Sequence, residues 1–265
     1  GGGGGPPPPR PARPPRHGGR GRGGGPPPGS VQPASSIARW RPFGHKAVSC
    51  AVRAAADKAG VKIITINALY PFNVWSANMA GKTAELAAFA AKCGAKALVM
   101  CPLNEGRAVP RESLVAGLKA IRPILKDHGL TGLVEPLGFH FSSMRTKAEA
   151  MSAITEAGGE DVYKLVHDTF HHHLGGEMQF YPEWTGLVHI SGVSDLKVAV
   201  NDMLDAHRVL VDEGDRLGNI AQIRTLIAAG YKGPFSFEPF SAEVQNLADH
   251  ATALKASMDF VAANV

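Results

Sequence analysis

The segment Lys164-Leu-Val-His-Asp168 is a short apolar run that ends in a carboxylate, and three other segments end in a similar way. The four polar residues at these ends are Glu135 in Gly132-Leu-Val-Glu-Pro136, Asp168, His189 in Gly186-Leu-Val-His-Ile190, and Glu238 in Phe235-Ser-Phe-Glu-Pro239. Each run has the length and the β-branched or aromatic content of a buried strand. If these strands are parallel, their polar ends meet at one edge of a sheet, where they would form a divalent-cation site.

Strands and helices are predicted to alternate along most of the chain. The predicted strands are 61–67, 97–101, 130–135, 162–168, 187–191 and 235–238, and the predicted helices are 82–93, 111–127, 147–157, 220–229 and 246–263. This alternation favours a parallel sheet with helical crossovers. A closed barrel of this kind has about eight strands, and only six are visible. We therefore predict an α/β fold, a TIM (β/α)8 barrel whose first two strands are missing or replaced.

Residues 1–46 are predicted to form an irregular leader, followed by a TIM-barrel domain at residues 47–265. The first 33 residues contain 12 Gly and 11 Pro and almost no aliphatic side chains. Such a segment cannot bury enough apolar surface to offset its ordering entropy. We interpret the leader as the product of a frameshift or of a mispredicted start. The coding DNA would refute this interpretation if no alternative frame encodes apolar, strand-like sequence.

The basic charge of the chain belongs to the leader. Residues 1–46 contain eight basic residues and no acidic one, which leaves 20 basic and 23 acidic residues in the remainder. The domain is therefore mildly acidic, which does not favour a nucleic-acid partner. RNA binding through Arg20-Gly-Arg22 is the non-enzymatic alternative. It is disfavoured because the leader has no aromatic residue before Trp40 to stack on bases.

Cysteine content and hydropathy indicate the compartment. No segment approaches the roughly 18 apolar residues of a transmembrane helix, and no secretory hydrophobic region is visible, so no membrane partner is predicted. Cys50, Cys93 and Cys101 are too few and too irregularly spaced for a disulfide framework or a zinc knuckle. A cytoplasmic location is therefore predicted. The sequence leaves the oligomeric state open, and a homo-oligomer is compatible with it.

Three carboxylates and one imidazole suit a particular group of ions. The set favours one divalent metal ion, Mn²⁺, Zn²⁺, Co²⁺ or Mg²⁺, over ions that prefer thiolates. A lone glutamate at a strand end is usually a capping or ion-paired residue, but four polar residues at successive strand ends favour a metal site. In the histidine-rich segment 167–173, the spacing from Asp168 to His171 indicates one carboxylate ligand and a nearby imidazole that contacts substrate.

The order of these motifs resembles a known family. The segments are Glu135-Pro-Leu-Gly138, Asp168-Thr-Phe-His-His-His173, His189-Ile190 and Phe237-Glu-Pro-Phe240. They resemble the xylose-isomerase-like TIM-barrel superfamily of sugar phosphate isomerases and epimerases, and within it the 2-keto-myo-inositol (inosose) isomerases, over about residues 50–265. The resemblance implies metal ligands at Glu135, Asp168, His189 and Glu238, and substrate contacts at His171 and Arg208. It fails at the N-terminus, where family members have a strand, a helix and a second strand.

The resemblance also implies a reaction. The expected activity is that of an isomerase that moves a carbonyl to the adjacent carbon of a keto-cyclitol or ketose, most directly 2-keto-myo-inositol, through an enediolate. Glu135 and Glu238 are the expected catalytic residues, with the roles of base and acid left open. A ketose 3-epimerase or a hydroxypyruvate-type isomerase is the alternative. A three-metal apurinic endonuclease site is disfavoured, because the predicted strand ends at Asn67 and Cys101-Pro102 offer no further histidine.

Overall fold

The computed structural model describes residues 1–3 and 45–265, and within this part of the chain six strands form one sheet. The strands are β1 (Thr65–Leu69), β2 (Ala97–Met100), β3 (Thr131–Val134), β4 (Tyr163–Asp168), β5 (Thr185–Ile190) and β6 (Phe235–Phe237). They lie side by side in chain order, and each pairs in parallel with the next. The predicted parallel sheet with helical crossovers is confirmed, and its order is that of a TIM barrel.

Helices connect and flank these strands. They are α1 (His45–Lys58), α2 (Ala77–Cys93), α3 (Arg111–Asp127), α4 (Lys147–Ala157), α5 (Thr169–Gly175), α6 (Asn219–Ala228), α7 (Ala242–Gln245) and α8 (His250–Ala263). The predicted helices 111–127 and 147–157 coincide with α3 and α4. The start of α4 is defined by a capping box between Thr146 and Glu149, and Gly158 ends it in the left-handed conformation.

The structure differs from the predicted elements at a few places. Strand β1 begins at Thr65 and not at Val61, whose side chain is 59% exposed and lacks the burial that a core strand requires. Helix α8 begins later than predicted because Asp249 caps it by accepting a hydrogen bond from the Thr252 amide at 3.0 Å. Helices α1, α5 and α7 lie where no helix is predicted.

The predicted boundary between leader and domain, at residues 46 and 47, lies inside α1. It stays a prediction, because almost all of the leader lies outside the described residues, and the interpretation of its origin lies there too. In residues 1–3 and 45–265, no helix is long and apolar enough to cross a membrane.

The two faces of the sheet carry separate apolar clusters, because successive strand residues point to opposite sides. On the outer face, Leu98, Met100 and Leu165 pack with residues of α2, α3 and α4. On the inner face, Val99, Leu133, Val166 and Leu187 belong to a second cluster. Two residues further along each strand, on the same face, are Cys101, Glu135, Asp168 and His189. The inner core therefore ends in polar side chains at the carboxyl end of the sheet.

The sheet is curved enough for its two edge strands to be bridged at this end. Nδ2 of Asn67 in β1 donates a hydrogen bond of 3.0 Å to Oε1 of Glu238, which directly follows β6. A flat six-stranded sheet would separate these strands by about 24 Å, since neighbouring strands lie about 4.8 Å apart. The curvature therefore encloses the polar end of the inner face.

Candidate metal centre

The four predicted ligands converge in the structure. Glu135 follows β3, Asp168 ends β4, His189 lies in β5 and Glu238 follows β6. One ligand atom from each residue lies within 4.8 Å of the others. Asp168 and His189 are direct partners in the register of β4 and β5. Parallel strands in register thus bring together side chains that are as much as 103 positions apart in the sequence.

His189 lies at the centre of this group. Its Nδ1 atom is 2.8 Å from Oε1 of Glu135, 3.2 Å from Oε2 of Glu238 and 3.9 Å from Oδ2 of Asp168. Burial lowers the pKa of His189, but the charges and hydrogen bonds of the two glutamates outweigh burial and raise this pKa well above its usual value. In the absence of a metal ion, the two glutamates therefore favour the protonated form of this imidazole.

The three carboxylates differ in their electrostatic surroundings. Burial raises the pKa of Glu135, but the neighbouring His189 outweighs burial and the pKa lies below its usual value. Burial also raises the pKa of Asp168, but the Arg208 guanidinium outweighs burial and this pKa too lies below its usual value. The pKa of Glu238 is raised, first by burial and then by the charge of Glu135. Glu238 is therefore the carboxylate that takes up a proton most readily.

The guanidinium of Arg208 is fixed beside two of these carboxylates. Its Nη2 atom lies 2.6 Å from Oδ2 of Asp168 and 3.0 Å from Oε2 of Glu238, and its Nε donates to Oγ of Ser191 at 2.9 Å. The rings of Phe170 and Phe240 lie 4.9 and 5.0 Å from the guanidinium carbon. Arg208 therefore belongs to the site as a buried positive charge, and its predicted contact with substrate stays a prediction.

His171 joins the site through its backbone and its ring. The backbone amide donates to Oδ1 of Asp168 at 3.0 Å, so that Asp168 caps α5. The ring packs edge-on against Phe139 and Phe170. Among the described residues, its buried Nδ1 atom has no hydrogen-bond partner. Buried polar atoms are rarely left in this state, and a substrate hydroxyl would satisfy it; this role of His171 stays a prediction.

The donor set fits one divalent cation. Three carboxylates carry three negative charges and Arg208 carries one positive charge, so two negative charges remain when His189 is neutral. Zinc-like ions bind oxygen and nitrogen at about 2.0–2.2 Å, which places opposite ligands about 4.4 Å apart. The observed ligand atoms lie within 4.8 Å of one another, and Nδ1 of His189 and Oε1 of Glu135, at 2.8 Å, would move slightly apart to admit the ion. A divalent ion would therefore complete both the geometry and the charge balance.

Two residues that carry no predicted role also contact ligands. Asn67 donates to Oε1 of Glu238, and Sγ of Cys101 donates to Oε2 of Glu135 at 3.4 Å. Burial raises the pKa of Cys101 well above its usual value, and the charge of Glu135 adds to this, so the thiol keeps its proton. In the sequence, Asn67 and Cys101 are notable only as predicted strand ends at which no histidine follows. For Cys101 the signal is its place two residues after the buried Val99 of the same strand. Asn67 follows the partly buried Thr65 and offers no such signal.

Comparison with known proteins agrees with this fold. The family described as xylose isomerase-like TIM barrel matches residues 30–263. A xylose isomerase domain containing protein from Salmonella typhimurium LT2 is 38% identical, with a TM-score of 0.76, over 81% of this chain and 80% of that one. No curated protein matches the chain.

Two further solved structures share the fold at lower identity. The IolI protein, solved with a zinc atom bound, is 20% identical with a TM-score of 0.71, over 81% of this chain and 82% of that one. A D-psicose 3-epimerase from Clostridium cellulolyticum H10, solved with D-tagatose, is 15% identical with a TM-score of 0.63, over 83% and 84% of the two chains. With nearly all of the described domain inside the family match, the chain belongs to the xylose isomerase-like TIM barrel family.

Proposed function

We propose that the protein is a metal-dependent isomerase of a keto-cyclitol or ketose, with 2-keto-myo-inositol as the first substrate to test. The observation that carries the proposal is the placement of two glutamates, from β3 and β6, against one nitrogen of His189, at 2.8 and 3.2 Å. Moving a carbonyl to the adjacent carbon requires one carbon to lose a proton and its neighbour to gain one, while a hydroxyl proton passes between the two oxygens. Two carboxylates beside one cation site can perform the carbon-bound transfers.

Glu135, Asp168, His189 and Glu238 would hold the ion. A divalent ion in this place would draw electron density from a substrate carbonyl and make the adjacent C–H bond more acidic, an effect of several kcal/mol. One imidazole and three carboxylates are compatible with Mn²⁺, Co²⁺, Zn²⁺ and Mg²⁺. The zinc atom in the related IolI structure supports zinc as one of these candidates.

We assign proton removal to Glu238 and proton return to Glu135. The side chain of Glu238 is 16% exposed and that of Glu135 is 4% exposed, so a bound substrate reaches Glu238 more easily. His171 and Arg208 would bind substrate oxygens, His171 through its unpartnered ring nitrogen.

Deuterium exchange tests this proposal directly. The protein is incubated with Mn²⁺ and 2-keto-myo-inositol in D₂O, and proton NMR follows the hydrogens on the carbons beside the ketone. At Mn²⁺ concentrations that saturate the variant, we expect metal-dependent exchange that falls by about 10²–10⁴-fold in Glu238→Gln, because the general base is removed. The matched control is Glu243→Gln on α7, an exposed position at which exchange should be unchanged. Absence of exchange with metal bound would refute this substrate, and full exchange in Glu238→Gln would refute the assigned base.

Epimerisation is the second candidate, since the two glutamates lie on different strands and could act on opposite faces of one carbon. Several structural relatives are named as ketose 3-epimerases, among them an L-ribulose 3-epimerase and a D-psicose 3-epimerase. Incubation with ketoses followed by separation of the products distinguishes the reactions. An epimer with the ketone in its original place supports the epimerase, and a moved ketone supports the isomerase.

A further inference from the structure

The three carboxylates of the site share one arrangement. Each has an inner oxygen, which lies near His189 or Arg208, and an outer oxygen, which accepts a hydrogen bond from elsewhere. The inner oxygens are Oε1 of Glu135, Oδ2 of Asp168 and Oε2 of Glu238. The outer oxygens accept from the Cys101 thiol at 3.4 Å, from the His171 amide at 3.0 Å and from the Asn67 side-chain amide at 3.0 Å.

Two of these outer donors come from strands that supply no ligand. Asn67 lies in β1 and Cys101 directly follows β2, whereas all four ligands come from β3 to β6. Cys101 is 8% exposed beside the buried Glu135, whereas Asn67 is an exposed residue whose side-chain amide reaches Glu238. The strands without ligands therefore reach the site through the outer oxygens of the two glutamates.

We propose that Asn67 and Cys101 are positioning residues that hold one oxygen of Glu238 and of Glu135, so that each glutamate offers a single oxygen to the ion and to substrate. This inference rests on the proposed metal site. A free carboxylate rotates about its terminal bond, and either or both oxygens can bind an ion. A hydrogen bond to the outer oxygen selects one orientation before the ion arrives, which reduces the entropy lost on binding.

The expected cost of losing such a donor is measurable without substrate. Outer partners of metal ligands typically contribute about 10–100-fold to metal affinity. Asn67→Leu and Cys101→Ala remove the donors and should each weaken Co²⁺ binding within this range. Cys101→Ser keeps a donor of similar size and should bind Co²⁺ nearly as tightly as the wild type.

Two controls match the chemistry of these positions. Cys93→Ala removes a buried thiol of α2 whose Sγ faces a backbone carbonyl, that of Ser49, and not the site. Asn246→Leu removes an exposed amide that contacts only the carbonyl of Ala242 near α7. Both variants should bind Co²⁺ as the wild type does. Thermal melts of the metal-free proteins show whether each variant folds.

The experiment is a Co²⁺ titration of the metal-free protein against a competing chelator, with the visible spectrum recorded at saturation. Support consists of weakened binding in Asn67→Leu and Cys101→Ala, recovery in Cys101→Ser, and an altered cobalt spectrum in the weakened variants. Equal weakening in Cys101→Ser and Cys101→Ala would overturn the role of the thiol as donor. Unchanged affinity in Asn67→Leu would overturn the role of Asn67.

Two further outcomes separate this inference from its alternatives. A sulfur-to-cobalt charge-transfer band in the wild type that disappears in Cys101→Ser would make the thiol a direct ligand and overturn the positioning role. Wild-type protein that binds Co²⁺ but fails the exchange assay refutes the proposed substrate and leaves the positioning role standing if the variants behave as stated. Wild-type protein that binds no Co²⁺ overturns both proposals.

Discussion

Two buried groups of ionisable side chains lie back to back on strand β4. The inner group is the candidate metal centre, which includes Asp168. The outer group includes the preceding residue, His167, together with Lys147, His172 and Glu177. The inner group has two negative charges in excess when His189 is neutral, whereas the outer group contains one lysine, one glutamate and two histidines. Charge imbalance therefore distinguishes a site that requires a ligand from a cluster that is complete by itself.

The outer group satisfies its own members. Nζ of Lys147 lies 2.7 Å from Nδ1 of His172, 3.2 Å from Nδ1 of His167 and 3.2 Å from Oε2 of Glu177. Burial lowers the pKa of Lys147 to about 8, with Glu177 opposing the shift. Burial also lowers the pKa of both histidines, so they are neutral near pH 7. The result is a network that ties α4 to β4 and to the chain after α5, and that continues from Nε2 of His167 to Gln222 of α6.

Removing the positive charge of the outer group should produce the largest loss in the free energy of unfolding. Lys147→Met leaves the carboxylate of Glu177, whose side chain is 9% exposed, without its cation. Removing one partner of a buried ion pair typically costs about 3–5 kcal/mol, because the remaining charge stays desolvated. Urea unfolding at pH 7 measures this loss in the free energy of unfolding. A loss below about 1 kcal/mol would show that water screens the pair as it does a surface pair.

Two variants sharpen this test. The double variant Lys147→Met/Glu177→Gln removes both charges and should recover much of the loss, since Gln still accepts a backbone hydrogen bond from Lys147 or Ala148. Lys255→Met breaks an exposed pair with Asp259, whose side chains are 73% and 65% exposed. Exposed pairs contribute about 0–1 kcal/mol, so this control should remain close to the wild type.

The sequence predicted the inner group and not the outer one, for a physical reason. A polar residue at the end of an apolar run is visible in the sequence, and parallel register then brings four such residues together. The roles of His167 and His172 depend on which face of β4 and which side of α5 these residues occupy. Those positions are known only when the first residue of each element is known. Asn67 was assigned no role for the same reason, because β1 was predicted to end at Asn67 and in fact extends to Leu69.

Removing one charge from the inner group should weaken metal binding strongly. Asp168→Asn replaces a ligand carboxylate and keeps the helix cap, since Asn caps helices about as well as Asp. We expect metal affinity to fall by more than the roughly 100-fold that loss of an outer partner costs. Isothermal titration with Mn²⁺ or Zn²⁺ measures the change, and the melting temperature of the metal-free variant checks the fold. Unchanged affinity would exclude Asp168 as a ligand.

Metal affinity of the inner group should depend on pH in one direction. In the metal-free protein the pKa of His189 lies well above its usual value, held there by Glu135 and Glu238 against the effect of burial. Below this raised pKa, each ion that binds must displace a proton, so affinity increases with pH by at most about tenfold per unit. Above it, the dependence should disappear. Titrations across this pH range, corrected for the protonation of buffer and chelator, measure this dependence. A constant affinity would contradict the assignment of His189 as a metal ligand.

The outer group should also show an effect in the acid limb of the stability curve. Burial raises the pKa of Glu177, but the neighbouring His172, the charge of Lys147 and the backbone amides of Lys147 and Ala148 outweigh burial and lower it from 4.5 to about 2. The unfolded chain therefore takes up this proton before the folded chain does, and the stability contributed by Glu177 is present above pH 4.5 and lost as the pH falls toward about 2.

Glu177→Gln has no such proton to take up, so the difference in unfolding free energy between wild type and variant should shrink across this window. The slope of this difference against pH corresponds to less than one proton. The other carboxylates are common to both proteins, so their titration cancels in the difference. A difference that stays constant as the pH falls would show that Glu177 stabilises the fold through its two backbone hydrogen bonds and not through its charge.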